Sequence, residues 1–71
     1  MGRTINGISI DYTYYMFSHG RAPRGRGRWA FYLGRGYEGE PRFYDGTFGE
    51  ACRCAVRDAR AAGVATITVG S

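Results

Sequence analysis

Residues 47–63, TFGEACRCAVRDARAAG, constrain the fold of this chain more than any other stretch. Thr47 and Glu50 stand at the spacing of a capping box, in which a hydroxyl and a carboxylate satisfy the first free N–H groups of a helix reciprocally. Gly63 suits the position just past a helix end, so a helix is predicted from about Phe48 to Ala62. At helical pitch, Phe48, Ala51, Cys52, Ala55, Val56, Ala59 and Ala62 fall within an arc of roughly 140°. That stripe is mostly small side chains, which lets the helix axis lie close on an apolar sheet. Arg53, Arg57 and Arg60 take the opposite side, with Glu50 beside them.

The rest of the chain reads as strands. Residues 8–17, ISIDYTYYMF, alternate in β-favouring residues and predict a first strand, with Asn6-Gly7 as the turn into it. A loop rich in Gly, Pro and Arg follows at 18–27, then a second strand at 28–33, RWAFYL. The connector 34–41 leads to a short third strand, RFY (42–44), which stops at Asp45-Gly46. After the helix, VATITV (64–69) predicts a last strand. Three meandering strands and a covering helix leave that strand parallel to the first and paired with it at the sheet edge. The expected class is α+β: a two-layer, strand-strand-strand-helix-strand fold, one helix on a three- to four-stranded, mostly antiparallel sheet.

At 71 residues the chain reads as a single domain whose apolar residues must share one core. No apolar run approaches the roughly 20 residues that span a bilayer. The N-terminal segment lacks the apolar core of a signal peptide, so a cytoplasmic protein is expected. Cys52 and Cys54 are two apart and point to different faces of the predicted helix, which disfavours a bond between them. With His19 they do not make a zinc spacing, so no metal is expected. Nor is a catalytic constellation found. His19 has no nucleophile at a suggestive spacing, the carboxylates are scattered, and GRGRW lacks the helix that a nucleotide loop needs. The expectation is a protein without catalysis or cofactor.

Charge points to a partner. The formal charge is +4, and all 10 Lys+Arg positions are arginine, a side chain that forks onto phosphate and carboxylate and stacks on aromatic rings. Arg21, Arg24, Arg26 and Arg28 alternate with glycine and proline, as in an arm gripping phosphates, although a solvated basic loop has the same composition. If Trp29, Phe31, Leu33, Phe43, Ile67 and Val69 face the helix, then Arg28, Tyr32, Arg42 and Tyr44 face away. Such a surface suits unpaired bases or a protein interface, while tyrosines that merely rim the core are the plain alternative. The partner-binding candidates are therefore Arg24, Arg26, Arg28, Tyr32, Arg42 and Tyr44, with the helix ridge Arg53, Arg57 and Arg60 as a second surface.

GRWAFYL (27–33), RFYDGTF (42–48) and the helix form EAxxxAxxDAxxxG (50–63) resemble the plant ethylene-response-factor type of DNA-binding domain. That resemblance implies a sheet backed by a helix, with Tyr32, Arg42, Tyr44 and Thr47 on the DNA-facing side and Arg24 in a basic cluster. By type, the chain also looks like the small anti-CRISPR inhibitors that phages and other mobile elements make. The function expected first is occlusion of a host protein or ribonucleoprotein complex that handles nucleic acid. Direct binding of DNA or RNA is the alternative. No membrane partner is expected, and the sequence leaves monomer and dimer both open.

Overall fold

The computed structural model describes residues 2–34 and 39–70. In chain order the described elements are β1 (Gly2–Ile5), β2 (Ile8–Asp11), α1 (Thr13–His19), β3 (Arg26–Leu33), β4 (Arg42–Thr47), α2 (Phe48–Ala61) and β5 (Thr66–Val69). The strands form one mixed sheet in the order β1-β2-β5-β3-β4. α2 packs on one face of it, so the α+β class and the helix-on-sheet layering are as the sequence predicts. Residues 35–38, within the expected connector, lie outside the described residues.

β3 begins two residues earlier than expected, at Arg26, and β4 does not stop at Asp45-Gly46 but pairs with β3 through both to Thr47; three further elements differ more deeply. Residues 2–5 do form a strand, and they pair antiparallel with β2 from Gly2↔Asp11 to Ile5↔Ile8. Asn6 and Gly7 connect them with φ of 51° and 81°, the left-handed pair that a two-residue hairpin requires. The predicted first strand stops at Asp11, and the aromatic run after it is α1. The Asp11 carboxylate accepts the backbone N–H of Thr13 at 2.9 Å, serving the free donors of a helix start, and Gly20 closes the helix at φ 70°. β5 does run parallel to β2, but it lies inside the sheet with β3 on its other side. Ile67, Thr68 and Val69 are all buried, the state of a strand covered on both faces.

α2 keeps its predicted shape. Phe48, Ala51, Cys52, Ala55, Val56 and Ala59 form its buried face, and they meet Ile10, Phe31, Ile67 and Val69 from the sheet. Both halves of the capping box are made: Glu50 N–H donates to the Thr47 hydroxyl at 3.1 Å, and Thr47 N–H donates to the Glu50 carboxylate at 2.8 Å. The short helix α1 closes the end of the layer where α2 begins. Tyr12 meets the Phe48 ring edge-on at 6.4 Å, and Tyr15 lies 5.6 Å from Trp29. Trp29 is in turn 4.9 Å from Phe48, so one aromatic cluster joins α1, the sheet and α2.

Two outcomes test this packing. Thr47→Ala should lower the stability read from urea melting by about 1 kcal/mol, the usual loss of a hydroxyl cap; an unchanged midpoint would contradict the cap. Cys52 is fully buried and burial pushes its thiol up to about 11, whereas Cys54 is partly exposed. A thiol reagent should therefore modify Cys54 in the folded protein and reach Cys52 only on denaturation. Equal rates at the two positions would contradict the phase of α2.

Candidate functional site

β3 decides which side chains are presented. It pairs with β4 on one side and β5 on the other, so its strand period sends Trp29, Phe31 and Leu33 to the α2 face and Arg28, Ala30 and Tyr32 to the opposite face. The β4 residue opposite Ala30 is Phe43, and the one opposite Arg28 is Asp45. Phe43 is therefore on the face away from α2, where it is 57% exposed. This corrects the sequence expectation, which turned Phe43 inward.

Arg42 and Tyr44 are corrected with it. They lie opposite Phe31 and Trp29 and so share the α2 side. The Tyr44 hydroxyl donates to the Asp58 carboxylate at 2.5 Å, and Arg42 stands 3.8 Å from the same group. These two side chains bind the edge strand to α2 and are not part of the opposite surface. Aromatic character alone cannot phase a strand of three residues. Tyr44 takes the inner position because its ring rests 5.7 Å from Phe31 while its hydroxyl reaches a polar partner at the rim of the core.

A cleft of about 500 Å³ opens on the face away from α2, at the end closed by α1. Arg28, Ala30, Phe43 and Gly70 line its sheet side, Gly27 and Trp29 of the same strand as Arg28 border it, and Tyr15, His19, Arg21, Arg24 and Arg26 rise around it from α1, the following loop and the start of β3. Three predicted site residues, Arg24, Arg26 and Arg28, are thus brought together with Arg21. Tyr32 lies on the same sheet face but outside the lining.

The loop that carries the arginines is anchored. Pro23 is buried, and the Gly25 carbonyl accepts the N–H of Phe48 at 3.0 Å. Arg24, between these two fixed points, is exposed. Arg28 is the most constrained of the four. Its Nε donates to Asp45 at 3.2 Å, and its guanidinium lies 6.0 Å from the centre of the Phe43 ring, a cation–π distance. Arg26 stands 3.9 Å from Glu50 across exposed side chains, a contact worth little in water. Among the described residues no carboxylate is within ion-pair distance of Arg21 or Arg24. Among the described residues, four guanidiniums against the carboxylates of Asp45 and Glu50 leave the cleft with an excess of positive charge.

His19, Tyr15, Phe43 and Gly70, with Gly27, Trp29 and Ala30 of β3, line the cleft without having been predicted as site residues. His19 looks like plain surface in the sequence, yet it stacks on Tyr15 at 4.1 Å, a pairing set by their spacing of four on α1. That signal is invisible while the segment reads as a strand. The second predicted surface, Arg53, Arg57 and Arg60, is an exposed ridge on the outer side of α2, away from the cleft. Among the described residues no three His, Cys, Asp or Glu side chains gather as a metal site. No described helix is long and apolar enough to cross a membrane.

Fold and site together define a small α+β domain with an arginine-walled cleft on the face of its sheet that α2 leaves uncovered. Compared with known proteins, the chain matches no family model, no curated protein and no solved structure.

The Tyr44–Asp58 contact has a pH signature. Burial first, then the hydrogen bond to Asp58 and that carboxylate's charge, push the Tyr44 phenol up to about 12, with Arg42 opposing in part. The folded state thus holds this proton more tightly than an unfolded chain, whose phenol titrates near 10. The stabilisation is complete below about pH 10 and disappears as pH climbs toward 12. Tyr44→Phe should cost about 1–2 kcal/mol near neutral pH. The difference in urea midpoint between wild type and variant should then close between pH 10 and 12. A difference that stays constant over that range would show that the phenol proton is not held by the fold.

Proposed function

We propose that this chain is a non-catalytic interaction protein that acts by occlusion: its arginine-walled cleft covers nucleic acid carried by a larger nucleic-acid-handling complex and so blocks that complex. This is the anti-CRISPR-like mode of inhibition that a small rigid body with one adhesive surface can perform. The observation that carries the reading is the convergence of Arg21, Arg24, Arg26 and Arg28 on one anchored concavity. Arginine forks match phosphate oxygens two at a time, and a loop pinned at Pro23 and Gly25 presents them with little left to order on binding. The second reading is direct binding of free DNA or RNA, favoured by the absence of any ion-pair partner for Arg21 and Arg24 among the described residues.

Salt titration tests the polyanion reading. Binding of a fluorescent oligonucleotide should weaken steeply as salt rises, since each neutralised phosphate releases counterions. Arg21→Ala with Arg24→Ala should weaken it further and flatten the slope by roughly 1–2 in log–log units. Arg53→Ala with Arg57→Ala, on the α2 ridge, should leave both unchanged. Loss of binding in the ridge variant, with the cleft variant intact, would move the working surface to α2. An inhibitor of a complex requires in addition that the cleft variant lose inhibition of that complex while remaining folded.

A further inference from the structure

The cleft is not only positive. One of its walls is an exposed aromatic ring, and the floor before it is made of the smallest side chains available. Phe43 is 57% exposed on a sheet face, where an apolar ring of that size has nothing to gain from water. Neighbouring Ala30 and Gly70 are joined by a hydrogen bond from Gly70 N–H to the Ala30 carbonyl at 2.9 Å. Gly70 is packed so that an added Cβ would stand 3.2 Å from the Ala30 side chain and 3.4 Å from the Tyr32 ring. Gly70 thus has no room for a side chain between Ala30 and the Tyr32 ring. Arg28, hydrogen-bonded to Asp45 across exposed side chains, lies over the ring, and Arg21, Arg24 and Arg26 stand along the same concavity.

Resting on the polyanion reading of this cleft, we propose that its ligand is single-stranded nucleic acid, with an unpaired base laid against Phe43 over the Ala30–Gly70 floor and the adjoining phosphates on Arg21, Arg24 and Arg26. A cleft of about 500 Å³ has room for a nucleotide. Arg28 already lies over the Phe43 ring, so a base stacks on the ring's other face or takes the place of the guanidinium. Either needs a base whose own face is free, which a single strand offers and a continuous duplex does not. Stacking on an aromatic platform is tolerant of sequence because every base has a π face, and a guanidinium beside the ring adds its own attraction to the base. Asp45 answers one arginine of the four, Arg28, and among the described residues Arg21 and Arg24 have no ion-pair partner.

The experiment uses the full chain and defined probes: oligo-dT and oligo-rU of about ten nucleotides, a duplex of equal length, and inorganic polyphosphate. Fluorescence anisotropy at fixed salt should show the single strands bound at least tenfold more tightly than the duplex. Phe43→Ala should lose roughly tenfold or more for single strands and nothing for polyphosphate. Phe43→Trp should retain or raise single-strand affinity. Arg24→Ala should weaken all the probes alike. Equal affinity for single strand and duplex, or a Phe43→Ala variant that binds oligo-dT and oligo-rU as wild type does, overturns the stacking proposal and leaves the polyanion reading standing. Binding of no probe, polyphosphate included, overturns both. Because Phe43 is exposed, circular dichroism of the Phe43→Ala variant should match wild type, which keeps the comparison interpretable.

Discussion

The organisation of this protein depends on the alternation of one strand. β3 is paired on both sides, so neither of its faces can turn without breaking two ladders, and a slip by one residue would exchange them completely. Trp29 and Phe31 on one face are tied into the core with Phe48 and α2. Arg28 and Ala30 on the other are thereby fixed as wall and floor of the cleft. The apolar half of the strand provides the energy that holds the polar half in place. The Trp29 indole N–H also donates to the Gly46 carbonyl at 3.3 Å, which locks the register of β3 against β4 and so places Phe43 beside Ala30.

α2 supplies the second condition. Its buried face is Ala51, Cys52, Ala55, Val56 and Ala59 behind a single large ring, Phe48, so the helix approaches the sheet closely and larger residues there would be resisted by a core without spare volume. Close approach brings Asp58 within reach of β4. One carboxylate then receives Tyr44 and stands near Arg42 and Arg57, fastening the edge strand that would otherwise be the weakest part of the sheet. The two site residues that sequence reasoning assigned to a partner are thus engaged inside the molecule.

How far the sequence discloses this fold follows from how many independent signals each segment carries. α2 has a cap, a stop and a three-turn apolar stripe that all agree, and it is legible almost to the residue. β3 is legible because six alternating residues phase it. α1 was not, because Tyr12, Tyr14, Tyr15 and Phe17 favour strands locally, and only Asp11 and Gly20, at its two ends, mark a helix. β1 was not, because Gly2, Arg3 and Thr4 carry no apolar alternation; the strand exists through the Asn6-Gly7 turn and the edge of β2. The cleft was half legible. Its arginines are plain in the sequence, whereas Phe43 follows from the β4 register and Gly70 from the position of β5, both of which are tertiary facts.

The arginine loop and the helix start are mechanically one unit. The first N–H groups of a helix need acceptors, and in α2 they are supplied from two directions: the Thr47 hydroxyl from within, and the Gly25 carbonyl from the end of the loop, between Arg24 and the first β3 residue, Arg26. The same hydrogen bond that completes the helix therefore fixes where the loop runs. Glu50 links the two again, since its carboxylate accepts from the Thr47 backbone N–H and stands near Arg26. Hydrogen bonding by Thr47, through its backbone first and then its side chain, holds that carboxyl below the usual range, so it remains charged beside the arginine through neutral pH. Presentation of the cleft's charge is in this way a consequence of how α2 is capped, and the chain needs no separate scaffold to hold its basic arm in place.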